Sequence, residues 1–405
     1  MVSSRTDLRL GVIGLGARHQ LASLAHNPGN GSRIVAVCDP ITARRESARK
    51  TFGNDLVMAS NHRDLLNIRL DGVFIITPDA THAELAIDFL QSGIAVYIEK
   101  PLAITTDEAD RVLQTAQSSG TPLYVGHNMR YMPFTRLMRD VISKGDIGEV
   151  KSIWCRHFVG HGGDYYFKDW HAERSKVTSL LLQKGAHDID IIHWLAGGYT
   201  NRLSAFGNLS VYGQIEDRSD RSSQVMQDWF SESNWPPLAQ QGLNPLIDVE
   251  DLSVVNLQLD NNIIATYQQC HFTPDYWRNY TVIGTEGRLE NFGDDKDATI
   301  KVWNRRSNYR AEGDKELAVS EESGTHGGSD RRIITEFLDF LRGGSRTETS
   351  PVAARYAVAT GVAATESLRA GGTVVTVPHL APELNSYFEC IQKTDQIKDR
   401  FKRNS

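Results

Sequence analysis

Short apolar runs separated by amphipathic stretches fill the first third of the chain, the pattern of a parallel sheet wound by crossover helices. The runs LRLGVIG (8–14), RIVAVCD (33–39), DGVFIITP (71–78), AVYIEKP (95–101) and PLYVGHN (122–128) are each rich in β-formers and end in polar or glycine positions, so each predicts a strand. Between them, THAELAIDFLQSG (81–93) predicts a helix: Leu85, Ala86, Phe89 and Leu90 share one face and Gly93 supplies the stop. After about residue 148 the rhythm changes to longer strand candidates with few helices, at 150–159, 202–213, 252–260, 262–272, 279–284, 288–293 and 299–304. Turn signals at Asp260-Asn261-Asn262 and at Gly284-Thr285-Glu286-Gly287 predict hairpins and hence an antiparallel sheet. Helices are expected around 178–196, at 331–344 and at 351–372, and a polar, turn-rich insertion at 215–247 around Trp235-Pro236-Pro237.

The fold class this implies is α/β plus α+β: a dinucleotide-binding Rossmann domain over 1–135 and a mainly antiparallel open-sheet domain over 136–380, with a charged, mobile tail over 381–405. The helix at about 350–371, rich in small residues, is expected to pack back on the first domain. A chain of 405 residues exceeds one ordinary core, which agrees with two domains. No apolar run is long enough to span a bilayer, and a net charge of −6 supplies no positive field for a phosphate backbone, so neither membrane nor nucleic acid is an expected partner. Cys38, Cys155, Cys270 and Cys390 are scattered without CxxC spacing, which fits a reducing compartment. With no signal-peptide pattern at the start, a cytoplasmic location is expected.

In GVIGLGARHQ, Gly14 and Gly16 fall where the first strand should turn into a helix and let the backbone approach a diphosphate. His19 replaces the third glycine of the GxGxxG pattern, so the motif by itself also reads as an ordinary turn. Ala17, Arg18 and His19 continue the turn and are candidate cofactor contacts. Asp39 ends the second strand about 20 residues on, where a carboxylate accepts from adenosine ribose hydroxyls and repels a 2′-phosphate. NAD is therefore the expected cofactor, while Arg44 and Arg45 keep NADP open.

Glu99-Lys100-Pro101 closes a strand at the carboxyl edge of the sheet, where open α/β sheets bind ligands. An ammonium there can hold and polarise a substrate hydroxyl. An isolated lysine at a strand end is more often a plain surface residue, so the assignment needs company. It has it: TPDATH, EKP, GHNMRYMP, KGDIGEV and GAHDIDIIHWLAGG together resemble the Gfo/Idh/MocA oxidoreductase family across nearly the whole chain. The resemblance implies that Lys100 contacts substrate and nicotinamide ribose, and that His187 is the proton acceptor. It also implies that Thr77, Pro78, His82, Glu99 and Asn128 line the cofactor side, that Arg130 reaches the substrate, and that the protein forms a homodimer or homotetramer.

One position departs from the family pattern. Where many members carry an aspartate four residues before the histidine, this chain has Gln183, which hydrogen-bonds a hydroxyl but takes up no proton at neutral pH. Either His187 acts without that carboxylate, or Lys184, Asp188 or Asp190 substitutes. Lys184 is therefore a further catalytic candidate. A metal site at His187, Asp188, Asp190 and His193 is disfavoured, because His193 falls on another helical face, and no metal is expected. The stretch 157–176 crowds aromatics and charges, so Tyr166, Lys168, Asp169, Trp170, His171 and Arg174 are candidate sugar contacts; a loop packed by its own aromatics is the competing reading. His271, Tyr276, Trp277 and Arg278 form a similar group. The expected activity is hydride transfer between a sugar or polyol carbinol and NAD. An NAD-dependent glycosidase working by transient oxidation, and a non-catalytic nucleotide sensor, are the alternatives.

Overall fold

Runs of Val, Ile, Ala and Phe buried on both faces build the first sheet of this computed structural model, which describes residues 6–320, 328–343 and 347–390. Its strands are β1 (Leu8–Ile13), β2 (Ser32–Cys38), β3 (Val57–Ala59), β4 (Gly72–Ile75), β5 (Ala95–Glu99) and β6 (Leu123–Gly126). They pair in parallel in the order β3-β2-β1-β4-β5-β6, reversing direction at β1, which is a doubly wound sheet. Only β3, three residues long, was not legible as an apolar run. The helix His82–Gln91 buries Leu85, Ala86, Phe89 and Leu90 as its periodicity requires, and Gly93 beyond it has φ +76°. The helix Ser329–Leu341 sets Phe337 against Phe74, Tyr97 and Tyr124 of this sheet.

The second sheet has nine strands: β7 (Val150–Phe158), β8 (Thr200–Asn208), β9 (Leu252–Leu259), β10 (Ile264–Cys270), β11 (Trp277–Gly284), β12 (Arg288–Phe292), β13 (Thr299–Trp303), β14 (Lys315–Ala318) and β15 (Val375–Thr376). The order is β14-β13-β12-β11-β7-β10-β9-β8-β15. Both expected hairpins form, β9 with β10 and β11 with β12, while β7 and β10 pair in parallel. The alternation of β7, β9 and β10 puts one face under the helices Pro133–Ser143 and Gly185–Ala196 and leaves the other face partly open.

The chain divides into a first unit, residues 1–127, 330–355 and 380–405, and a second, residues 128–329 and 356–379. The division thus falls at Asn128 rather than 136, and the chain returns to the first unit near its end. Two further expectations are corrected, on the helix around 178–196 and on the tail, and the turn-rich insertion is found as expected. The single helix around 178–196 is two, Leu180–Gln183 and Gly185–Ala196, broken at Lys184. The insertion contains only short 3-10 turns, yet it is packed at both ends: Ile215 and Leu243, with Tyr212 and Val249 flanking it, are buried with Tyr166, Phe167 and Leu180. The tail begins with a helix, Pro382–Cys390, and the rest of it lies outside the described residues. Among the described residues, no helix is long and apolar enough to cross a membrane.

Candidate active site

At the end of β1 the chain turns at Gly14, with φ +89°; a Cβ there would lie 2.4 Å from the Ile76 carbonyl oxygen, so only glycine fits. At Gly16 a Cβ would meet nothing within 4 Å, which leaves room for a diphosphate to approach the backbone. The expected helix is short, a 3-10 turn Ala17–His19 running into Gln20–Ser23, so its dipole is weak. Asp39, 3% exposed, accepts from Leu15 N–H on one oxygen and Ile41 N–H on the other, both at 2.8 Å, with Arg44 at 3.8 Å. It braces the glycine turn and, with lone pairs to spare on each oxygen, fits an adenosine ribose. Arg45 is spent on the carbonyls of Asp39 and Pro40.

Several expected cofactor contacts also brace that turn. Arg18 donates to Glu99 at 3.1 Å and forks onto Asp330 at 2.9 and 3.1 Å, tying the glycine turn to the end of β5. His19 folds back, its Nδ1 2.7 Å from the Gly16 carbonyl oxygen. His82 is fully buried, with Nδ1 2.7 Å from the Pro101 carbonyl oxygen and Nε2 2.9 Å from that of Thr77. It staples the turn after β4 to the Lys100-Pro101 turn and has no ring edge left for a ligand, which corrects its assignment. Thr77 and Pro78 remain at the surface of that turn, the Thr77 hydroxyl accepting from Thr81 at 2.7 Å. Glu99 is buried and Lys100, half-buried, follows it directly. Asn128 is buried at the start of the second unit.

In the second unit, Gly185 lets the helix Gly185–Ala196 begin close against β10: a Cβ there would lie 3.2 Å from the Tyr267 ring. Beneath the first turn, the fully buried Asp188 carboxylate accepts from Tyr280 OH at 2.5 Å and Tyr267 OH at 2.9 Å, and pairs with His157 at 2.8 Å and Arg278 at 3.1 Å. Burial opposes ionisation of Asp188, but the Arg278 guanidinium and His157 prevail and hold it below the usual carboxylate range. Burial, then Arg278, pushes His157 down to about 3, so its imidazole stays neutral. The same turn carries His187, half-buried, with Lys184 at its N-cap and buried Gln183 just before.

Lys184 Nζ lies 5.8 Å from the Tyr166 ring, which meets His171 edge-on at 5.5 Å and His271 at 5.1 Å; Trp170 stacks on His171 at 3.7 Å. The structure therefore gathers Tyr166, Trp170, His171 and Lys184. Two of the three remaining cations are buried with their partners. Lys168 is a buried ion pair with Asp164 at 2.8 Å; Arg130 is bidentate on Asp190 at 2.7 and 2.8 Å with both side chains buried; and Arg174 is held by Glu250 at 3.0 Å. A cation committed to a carboxylate in a low-dielectric setting cannot leave it cheaply for a sugar hydroxyl, so Lys168 and Arg130 have structural roles, whereas Arg174 is exposed and keeps its place as a candidate contact. His193 likewise packs, against the Thr200 hydroxyl at 2.7 Å. Asp188 as an anchoring hub was not legible, since its partners lie far away in sequence. Among the described residues, no group of three or more His, Cys, Asp or Glu side chains is placed to hold a metal.

Comparison with known proteins agrees with the two-sheet fold. Residues 8–127 match the profile described as oxidoreductase family, NAD-binding Rossmann fold, and residues 139–377 the corresponding C-terminal alpha/beta domain. The putative oxidoreductase YteT of Bacillus subtilis (strain 168) is 24% identical over 307 residues, 66% of this chain and 72% of that protein. An inositol 2-dehydrogenase of Salmonella typhimurium is 29% identical over 192 residues, 46% of this chain and 54% of that protein, so the matched stretch spans about half of that relative. Among solved structures, levoglucosan dehydrogenase in complex with NADH and L-sorbose superposes with a TM-score of 0.75 at 19% identity, covering 92% of this chain and 100% of the other. At that identity the likeness speaks for the fold.

Proposed function

This chain belongs to the Gfo/Idh/MocA family of NAD-binding oxidoreductases, and from that premise we propose that it is an NAD-dependent dehydrogenase of a sugar or polyol CH–OH group, with NADP as the lesser cofactor. The observation that carries the reading is His187 and its N-cap Lys184 at the start of one helix anchored by Asp188, with Gln183 closing the short helix before it, beside a Tyr166–His171 aromatic wall. His187 takes the hydroxyl proton, and Lys100 holds and polarises that hydroxyl. Gln183 offers hydrogen bonds where no carboxylate stands, and Lys184 is a second cation for the developing oxyanion. When bound, NAD accepts the hydride from the carbinol carbon, leaving a carbonyl. Gly14, Gly16 and Asp39 would hold the diphosphate and ribose. The partly exposed Trp154, Ile264 and Ile283 on the open face of the nine-stranded sheet support self-association.

A panel of sugars and polyols assayed for NAD and NADP reduction tests the reading. Lys100→Met is expected to lower kcat by about 100-fold or more while NAD affinity stays within a few-fold. Unchanged turnover would remove this lysine from the mechanism. Stoichiometric NADH release excludes a glycosidase that closes its redox cycle, and no turnover with any member of the panel supports a nucleotide sensor.

A further inference from the structure

We propose that the second unit carries an outer carbohydrate subsite, a platform of Tyr165 and Phe230 flanked by His161 and Glu232, which takes a second sugar ring of a disaccharide or glycoside. The proposal rests on the reading of Lys184 and His187 as the reacting end. The rings of Tyr165 and Phe230 lie 5.8 Å apart and nearly parallel, at 18°. They come from segments 65 residues apart, the second inside the long insertion between β8 and β9. His161 meets both rings edge-on, at 6.1 and 5.1 Å.

Buried groups next to each ring hold this pair in place. Tyr165 follows Asp164, whose carboxylate receives Lys168 Nζ and Asn234 Nδ2 at 2.8 Å each and Gln240 Nε2 at 3.3 Å. Phe230 follows Trp229, whose indole N–H donates to the Asp164 carbonyl at 2.8 Å. One buried knot therefore fixes both backbones, while Tyr165, Phe230 and His161 themselves stay partly exposed and Glu232 is exposed. The insertion buries Trp229 and Tyr212, whereas Phe230 keeps part of its ring at the surface beside the partly exposed Tyr165. Preorganised, partly wet aromatic faces suit the C–H faces of a pyranose, and the imidazole and carboxylate, 4.0 Å apart, suit its hydroxyls.

Position decides what the platform serves. Tyr165 meets Tyr166 edge-on at 6.2 Å, and Tyr166 is the ring under Lys184. The platform thus begins one residue from the ring at the proposed reacting end, a placement that suits a ring linked to the one that is oxidised.

Binding to the full-length protein tests this without any redox readout. Isothermal titration and saturation-transfer NMR would compare monosaccharides with disaccharides of gluco, galacto and manno configuration. For at least one configuration the disaccharide is expected to bind about 10-fold more tightly, and Tyr165→Ala and Phe230→Ala to bring that ratio close to one. Should an alanine variant fail to fold, Tyr165→Leu and Phe230→Leu keep the apolar packing and must still collapse the ratio. No disaccharide preference in the unaltered protein, or a preference that survives in folded leucine variants, overturns the proposal. A disaccharide preference without any NAD reduction would sink the dehydrogenase reading and leave the platform standing.

Discussion

The two sheets carry their main helices over opposite ground. In the first unit, the helix Ser329–Leu341 lays Phe337 among Phe74, Tyr97 and Tyr124, with ring centroids 5.2, 5.4 and 5.5 Å away. In the second, the helix Gly185–Ala196 rests its first turn on a buried carboxylate, a guanidinium, an imidazole and two phenols. Dispersion and lost apolar surface hold the first contact, and neither responds to protons. The second holds only while Asp188 and Arg278 stay paired where water cannot reach them. Shape therefore secures the nucleotide side, and charge secures the side that carries the proposed proton acceptor.

The largest expected effects come from cutting each contact at its centre. Asp188→Asn leaves Arg278 with the weaker Asp294 contact at 3.4 Å, and should cost about 3–5 kcal/mol in urea unfolding. Phe337→Ala should cost about 3–5 kcal/mol by opening a cavity. The two differ in their pH dependence. The pKa of Asp188 is lower in the folded state than in the unfolded chain, so its contribution is present above about pH 4 and is lost as pH falls below that. The Phe337→Ala cost should be flat across the same range, and parallel pH curves for the two variants would break the comparison.

A smaller effect should appear in the unaltered protein. Burial lowers His157 to about 3 and His193 to about 4, and pushes His271 well down as well. Each is depressed below its unfolded value of about 6.5, so the stability each contributes is present above that pH and lost as pH falls toward the folded value. Each can add up to about 1.4 kcal/mol per pH unit. Thermal midpoints should hold level from pH 7 upward and decline between about pH 6.5 and 4, and His193→Gln should make that decline shallower. An unchanged slope would remove His193 from the account.

The smallest effect concerns the nucleotide side. Asp39→Ala removes a brace on Leu15 N–H together with the candidate ribose acceptor, and should weaken NAD binding roughly 10-fold by fluorescence titration while changing NADP less. Equal losses for both cofactors would leave Asp39 as a brace alone.

The first unit was the more legible because its determinants are local. A glycine pair, an acid about 20 residues on and apolar runs of strand length each read within one window of sequence, and five of six strands followed from them. Arg130 and Lys168 misled because a cation near a candidate site looks the same in sequence whether its carboxylate is a turn away or 60 residues away. His82 misled for a related reason: its position beside the TPD turn was correct, but its ring faces two carbonyls that only the packing of β4 beside β5 brings together.

By itself the sequence determined the alternation of strand and helix, the glycine turn with Asp39, the EKP turn carrying Lys100 and the helix carrying His187, because periodicity and turn chemistry act over a few residues. Tertiary structure alone decided which charges are spent and which remain for a ligand. Asp188 collects donors from residues 157, 267, 278 and 280, on three strands far apart along the chain, and Tyr165 meets Phe230 only because Trp229 bonds back to Asp164. Pairings of that kind are set by sheet order and burial, which fix distances that sequence spacing does not contain.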